Sequence, residues 1–428
     1  MNQELIRIVE NIARDKNIDM ESIFADLQEA MVSAARKHFG EPEGDIVVNI
    51  DRSSGEIAAF KDGEKIDIKQ LGRIPAQTAK QVIIQKIRAD ERDSIYAEFV
   101  QRKGEIISGS VVRYEGKTLI VNLSHRAEGF MPKAEQIMGQ SHRAGERIRC
   151  MILDVKEASN QVKIILSRTH PDFIRRLFEL EVPEVAENII EIRALAREAG
   201  YRTKVAVASL DDKVDPVGAC VGVRGSRIKN IVDELGGEKI DIVRWNDSSQ
   251  VLITNALMPA KASEIALCFE LGKATVVVDE EQLSLAIGKH GQNVRLAARL
   301  TGWDIDILTP DEYNQGIEHL TNCVKSMETT DTAASFTISG KTVSIDTVVD
   351  KLIALGVISV LDLEDIGTEP LVNDLNFDTE PAEKLIATAA AYARRIAAEP
   401  KKKQAEGMLQ KQQNTEDDKE KQPTDNEQ

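Results

Sequence analysis

Two short stretches carry the residues with the most definite chemistry. One reads CVGVRGSR around Gly222 and Gly225, the other AIGKHGQNVR around Gly288 and Gly291. Each is a G-x-x-G with cations in or beside it. Glycine lets a backbone approach an anion with no Cβ in the way. A helix starting just after it aims free N–H groups and its positive dipole end at that anion. The candidate phosphate-contacting set is therefore Gly222, Val223, Arg224, Gly225, Ser226 and Arg227 in the first copy. In the second it is Gly288, Lys289, His290, Gly291, Gln292, Asn293 and Arg295. Neither stretch ends in the G-K-[S/T] of a nucleotide-hydrolysing loop, so the chemistry is holding a phosphate backbone, not transferring a phosphoryl group. A lone G-x-x-G is weak, because glycines often cap helices. Here Ile228 and Ile231 align with Val294 and Ala297, and Gly236 with Gly302. After a one-residue deletion Ile240-Asp241-Ile242 aligns with Ile305-Asp306-Ile307. The spacing predicts helix, loop, helix, strand twice over, in modules spanning 171–246 (with a connector) and 247–309.

Other elements must position these loops. Apolar periodicity predicts two helices at the start, on Leu5, Ile8, Val9 and Ile12 and on Ile23, Leu27, Ala30, Met31 and Ala34. A hairpin turning at Ser53-Ser54-Gly55 and a long helix from about residue 75 to 102 complete an α+β domain over 1–102. The period then changes to two. Strands are expected at 106–113, 118–123, 127–131, 147–155 and 162–167, a small closed barrel of the OB type over 103–170. OB barrels bind single strands on a face of aromatics and cations. Phe130, Arg113 and Arg126 are the candidates for that role, and plugging of the barrel by Phe130 is the competing structural reading. A helix starting at Pro183 with a stripe of Val185, Ile189, Ile192 and Ala196, ended by Gly200, is expected before a strand at 203–210. Residues 310–344 read as a polar linker and 345–398 as a short helical segment. Apolar residues nearly vanish over 399–428, which reads as a disordered tail.

Composition narrows the function classes. Against 55 Lys+Arg stand 71 Asp+Glu, a net charge of −16, which excludes indiscriminate coating of nucleic acid. The acid is unevenly placed: 101–170 holds 12 basic and 7 acidic residues, 310–428 holds 12 and 23. No apolar run is long enough to span a bilayer, so no membrane partner is expected. Cys150, Cys220, Cys268 and Cys323 are dispersed, with no C-x-x-C, and read as buried thiols of a cytoplasmic protein. The histidines show no metal-ligand spacing. The adjacent pairs Asp211-Asp212 and Glu280-Glu281 point apart and read as solvated faces. No metal, cofactor or enzymatic activity is expected.

Several segments together carry a family resemblance over about residues 1–309. They are IVENIARDKNID, AARKHFG, QTAKQVIIQKIRADERD, GEIISGSV, SRTHPDFIRRLFELEVPEV, DPVGACVGVRGSRI and AIGKHGQNVRLAARLTGW. In this order they resemble the bacterial NusA family of transcription termination/antitermination factors. The resemblance implies a multidomain α+β chain: an N-terminal polymerase-binding domain, an S1-type OB barrel and two tandem type II KH domains. KH loops clamp about four nucleotides of single-stranded backbone. It further implies a monomer that binds the RNA polymerase core at its β flap region and its α subunit, the nascent single-stranded RNA, and other Nus factors. Such a factor enhances pausing and termination and takes part in antitermination. Arg36, Lys37 and Lys80 would face the exiting RNA. Two departures stand out. Ala199 occupies a position where the family often has proline. Leu352, Leu355, Gly356, Val357, Leu361 and Leu363 resemble half of an acidic helix-hairpin-helix repeat, but Leu375-Asn376-Phe377-Asp378 stands where a glycine hairpin is expected. An RNA-turnover enzyme or a ribosome-associated RNA binder using the same modules is the alternative. Phosphorolytic exonucleases, however, place KH before the barrel and need a large catalytic core ahead of both.

Overall fold

The computed structural model describes residues 6–7, 9–11, 13–14, 19–39, 45–66, 73–123, 127–158, 161–330, 337–338 and 341–396. Its contacts fall into two compact units. The first is Met1–Glu187 with Ala199–Tyr201 and Gly222–Glu238; the second is Asn188–Glu198, Arg202–Val221 and Lys239–Gln428.

In the first unit, helix α1 (Met20–Phe39) buries Ile23, Phe24 and Leu27 against Ile50 of a three-stranded antiparallel meander. Its strands are β1 (Ile46–Ile50), β2 (Ile57–Lys61) and β3 (Glu64–Ile66), the last not expected from the pattern. The β1–β2 turn is built by Asp51, whose carboxylate accepts from Ser53 N, Ser53 Oγ and Ser54 N at 2.6–2.9 Å. Those bonds, the Ser53 hydroxyl foremost, lower its pKa to about 2. Helix α2 (Arg73–Gln101) ends by inserting Phe99, fully buried, into the barrel core. The aromatic that fills this barrel is thus Phe99, not Phe130.

The barrel comprises β4 (Ile106–Glu115), β5 (Thr118–Asn122), β6 (Glu128–Met131), β7 (Arg147–Ala158) and β8 (Gln161–Ser167), closed in the order β4-β5-β6-β8-β7. Alternation explains it: along β6, Gly129 and Met131 point inward while Glu128 and Phe130 are half-exposed. The chain leaves through Ser167-Arg168-Thr169-His170. Ser167 Oγ accepts from Thr169 N and His170 N, and His170 caps helix α3 (Pro171–Glu181) by accepting from Asp172 N. Arg168 is 2% exposed. It donates to Arg149 O, to Glu234 O and to Glu234 Oε1 at 2.9 Å, and its guanidinium lies 5.5 Å from the Phe173 ring centroid. Its Nε has no hydrogen-bond partner, so the bonds of the two terminal nitrogens are what offset burial of the charge.

After α3 a short helix α4 (Pro183–Ala186) ends the helical run. The expected helix through Ile189, Ile192 and Ala196 is instead strand β9 (Ile190–Glu198). Those positions satisfy a helical stripe, but Ile190, Ile192, Ala194 and Ala196 also alternate. Antiparallel pairing with β10 (Arg202–Ser209) decides between the two, and β11 (Lys239–Arg244) pairs parallel on its other side. A second sheet, in the same unit, repeats this one. There β13 (Lys273–Val277) pairs antiparallel with β12 (Glu264–Cys268) and parallel with β14 (Asp304–Leu308). Helix α5 (Pro216–Val221) precedes the first loop and α6 (Ser226–Glu234) follows it. Around the second module run α7 (Ser249–Leu257), α8 (Glu280–Ile287) and α9 (Gln292–Thr301). Ala196, Ala206 and Val243 of the first sheet share one core with Leu252, Ala256, Leu296 and Leu300 of α7 and α9.

Residues 310–330, expected as linker, form helix α10 (Pro310–Thr330). Its Tyr313 packs with Val277 and Ile358 against the outer face of the second sheet, while Leu320, Cys323, Val324 and Met327 join the helices that follow. These are α11 (Ile345–Ala354), α12 (Val360–Ile366), α13 (Thr368–Asn373) and a helix over 379–396. A capping box of Ser359 and Asp362 starts α12. The same Asp362 accepts from Lys273 Nζ at 2.7 Å, and Asp306 lies as close to that ammonium. Burial alone would lower the Lys273 pKa; the bonds to Asp306 and Asp362 outweigh it and raise it. Where a glycine hairpin was expected, Asn376 takes φ 57° while Leu375 and Phe377 are buried. Asparagine is the residue that replaces glycine there most readily. The tail expected disordered, 399–428, lies outside the described residues.

Candidate nucleic-acid interface

Both loops have the same backbone. In the first, Gly222 has φ 76° and ψ 175°, Arg224 φ 54° and ψ 26°, and Gly225 φ 75° and ψ 20°. In the second, Gly288 has φ 72° and ψ 174°, His290 φ 54° and ψ 30°, and Gly291 φ 71° and ψ 15°. The region held by Gly222 and Gly288 is open essentially to glycine alone, and a non-glycine in the left-handed region costs about 1–3 kcal/mol. Arg224 and His290 therefore sit where the surrounding structure must hold them. Each loop closes on itself, Gly225 N donating to Gly222 O at 3.1 Å and Gly291 N to Gly288 O at 3.2 Å. Gly225 and Gly291 are the N-caps of α6 and α9, and neither helix has a side-chain cap. The N–H groups of both first turns are left without a side-chain acceptor, the condition in which a helix start takes an anion.

The side chains divide by role. Val223, Arg224, Ser226, Lys289 and His290 are exposed, and Gln292 is half-buried. Arg227 donates to both oxygens of Glu184, at 3.1 and 2.9 Å. Arg295 donates to Glu198 at 2.9 Å and to His290 O at 3.0 Å, and Gln292 donates to the other Glu198 oxygen at 2.7 Å. Burial would raise the Glu198 pKa, but Gln292 and Arg295 outweigh it and lower it. Asn293 corrects an expectation. It is 2% exposed and its amide donates to the carbonyls of Leu257, Leu285 and Ala286 at 3.1–3.2 Å. It faces inward and holds the loop instead of meeting a ligand. Sequence reasoning missed Glu184 and Glu198, which lie 43 and 97 residues from the arginines they hold. No local pattern marks either of them.

On the barrel, Phe130 is half-buried on the outer side of β6. Arg113 donates to Glu115 at 2.9 Å and comes within 3.8 Å of Glu128. Arg126 lies outside the described residues. Arg36 is exposed on α1; Lys37 and Lys80 fall in α1 and α2, with side chains outside the described residues. No described helix is long and apolar enough to cross a membrane.

A closed five-stranded barrel followed by two matching three-stranded modules, each with a strained G-x-x-G ahead of an uncapped helix, defines a barrel and tandem-KH protein of the RNA-binding class. Residues 168–245 match the NusA-like first KH domain, 249–315 the NusA-like second KH domain, and 4–64 and 61–93 the NusA N-terminal domain. The chain is 38% identical over 347 residues to the "Transcription termination/antitermination protein NusA" of Halalkalibacterium halodurans, covering 74% of this chain and 90% of that one. It is 39% identical over 339 residues to the protein of that name from Bacillus subtilis, covering 72% and 91%. With that of Rickettsia conorii it shares 38% over 367 residues, covering 77% and 73%. The chain belongs to the NusA family of transcription termination/antitermination proteins.

Proposed function

We propose that the protein is a non-enzymatic elongation factor of the cytoplasm, acting as a monomer on RNA polymerase and its nascent RNA. Residues 1–102 bind the polymerase core at the β flap region, with Arg36, Lys37 and Lys80 toward the exiting RNA. The barrel (103–170) and the KH modules (171–246 and 247–309) hold the single strand behind it. The polymerase α subunit is a further candidate partner, and other Nus factors join the complex in antitermination. The observation that carries this reading is the pair of loops with matching strained backbone and open helix starts. Two clamps of this kind grip backbone without demanding a sequence. The acidic excess outside the barrel keeps non-specific affinity modest, which suits a factor anchored by protein contacts.

The test uses Gly225→Asp and Gly291→Asp together. Both positions are left-handed, where aspartate is tolerated, so the fold survives while a carboxylate enters each phosphate path. Affinity for labelled single-stranded RNA at moderate salt is expected to fall at least about tenfold, each lost phosphate contact also lowering the salt slope by about 0.7. Pause lifetime at a hairpin pause in a purified transcription assay should shorten in parallel. Unchanged RNA affinity in the double variant refutes the loop assignment.

A further inference from the structure

Within the first unit, a cleft of 710 Å³ opens between the barrel and helix α6, with Ser108 of β4, Arg147 and Arg149 of β7 and Glu181 of α3 facing Asp233 and Glu234 of α6. We propose that this cleft holds one ribonucleotide of a single strand, Arg147 taking its phosphate and Asp233 its 2′-hydroxyl. The proposal rests on the reading that the protein binds single-stranded RNA, and adds to it a device that tells RNA from DNA.

Pairing within the walls leaves one group of each sign for a ligand. Glu181 is engaged at both oxygens: Arg149 Nη1 lies 3.5 Å from one, and Asn230 Nδ2 donates to the other at 2.9 Å. Glu234 is engaged at both as well, by Arg168 Nη1 at 2.9 Å and by Arg149 Nε at 3.9 Å. The side chains of Arg147 and Asp233 are exposed and have no hydrogen-bond or ion-pair partner among the described residues. Strand alternation holds Arg147 in place: it shares the outer face of β7 with Arg149, while Ile148 between them turns into the barrel at 5% exposure. Ser108 stands directly across from Arg149 on β4. On α6, Ser226, Asn230 and Asp233 follow helical spacing on one face. That face leads from the first G-x-x-G loop to the cleft over about 12 Å.

The free pair selects the ligand. A bare anion that met Arg147 would also meet the charge of Asp233, and a bare cation would meet the reverse. A ribonucleotide brings an anion for the arginine and, on the adjoining sugar, a hydroxyl that donates to the carboxylate. A deoxynucleotide brings the same phosphate without the donor. It strips water from the carboxylate and leaves it unpaired, which is the costly outcome. This side of the barrel is not the one made by its second and third strands, β5 and β6, where OB folds take oligonucleotides. What favours it is the opposite wall, which is the same helix that starts at the first loop.

The experiment measures binding of the full chain, by fluorescence anisotropy, to a single-stranded RNA of mixed sequence and to its 2′-deoxy and 2′-fluoro counterparts, with uracil kept in all three. The 2′-fluoro sugar keeps the RNA pucker but cannot donate. RNA is expected to bind about tenfold tighter than either counterpart, the scale of one hydrogen bond to a charged group. Asp233→Ala should bring the three probes to within about twofold of one another. Arg147→Ala should weaken all three and lower the salt slope by about 0.7, the loss of one phosphate contact. Both side chains are exposed and unpartnered, so their removal leaves the fold intact. Equal affinity of the wild type for the three probes overturns the proposal. So does an RNA preference that survives Asp233→Ala, or a salt slope unchanged in Arg147→Ala. A wild-type chain that binds none of the probes refutes RNA binding itself, so the two failures are separable.

Discussion

The two G-x-x-G loops share a backbone and differ in what holds it. At the position five residues after the first glycine, the first copy has Arg227 and the second Asn293. Arg227 runs across the loop, where a Cβ on Gly222 would lie 2.8 Å from its Cγ, and reaches the half-exposed Glu184. Asn293 turns inward and ties its loop to three backbone carbonyls. One loop is thus braced by a surface ion pair and the other by a buried amide. The same loop geometry can rest on unlike supports, because the φ/ψ demand of the loop is local while its bracing comes from whatever packs beside it.

The comparison breaks first at those two residues. Asn293→Ala removes the amide donor of the Leu285 and Ala286 carbonyls, while Leu257 O keeps Ala260 N, and should cost about 3 kcal/mol of unfolding free energy. Arg227→Ala removes a partly solvated pair and should cost about 1 kcal/mol or less. Urea denaturation of both variants checks the ratio, and equal losses would mean that the supports are equivalent. Next come the first glycines. Gly222→Ala and Gly288→Ala both incur the backbone strain of a glycine-only region, about 2 kcal/mol. Gly288→Ala should be the worse of the two. Its Cβ meets the Asn293 Cβ at 2.7 Å and backbone N at 3.0 Å, whereas the nearest atoms at Gly222 belong to the flexible Arg227 side chain. Thermal melts give the order.

The smallest effect is titration. Glu198 is held below the ordinary carboxylate range by Gln292 and Arg295, against burial. A carboxylate with a lowered folded pKa contributes stability above its unfolded value, and that contribution is lost as pH falls through the folded value. The stability difference between wild type and Glu198→Gln should therefore be present above about pH 4.5 and shrink below it. Denaturation across that pH series measures the gap. A gap that widens on acidification would remove Glu198 as the anchor of Arg295.

Much of this protein was legible in its sequence. The repeat around Gly222 and Gly288, the period-two strands of the barrel and the hairpin at Ser53-Ser54-Gly55 all appear where the residues place them. Each is a local property: a glycine marks a backbone angle, and alternation marks a face. The failures also share a cause. The stripe Val185, Ile189, Ile192 and Ala196 fits two periods, and only the partner strand β10 selects one. The polar run after Pro310 looks like linker until Tyr313, Leu320 and Val324 find the sheet and helices they cover.

The sequence by itself determined the order of the modules, the two strained loops and the placement of charge, since all three follow from residue type and near spacing. Tertiary structure decided that Phe99 and not Phe130 fills the barrel. It also decided that Asn293 is a brace and not a contact, and that Lys273 and Asp362, 89 residues apart, fasten the C-terminal helices to the second sheet. Burial and pairing depend on neighbours brought together by folding, and nothing in the chain next to a residue names them.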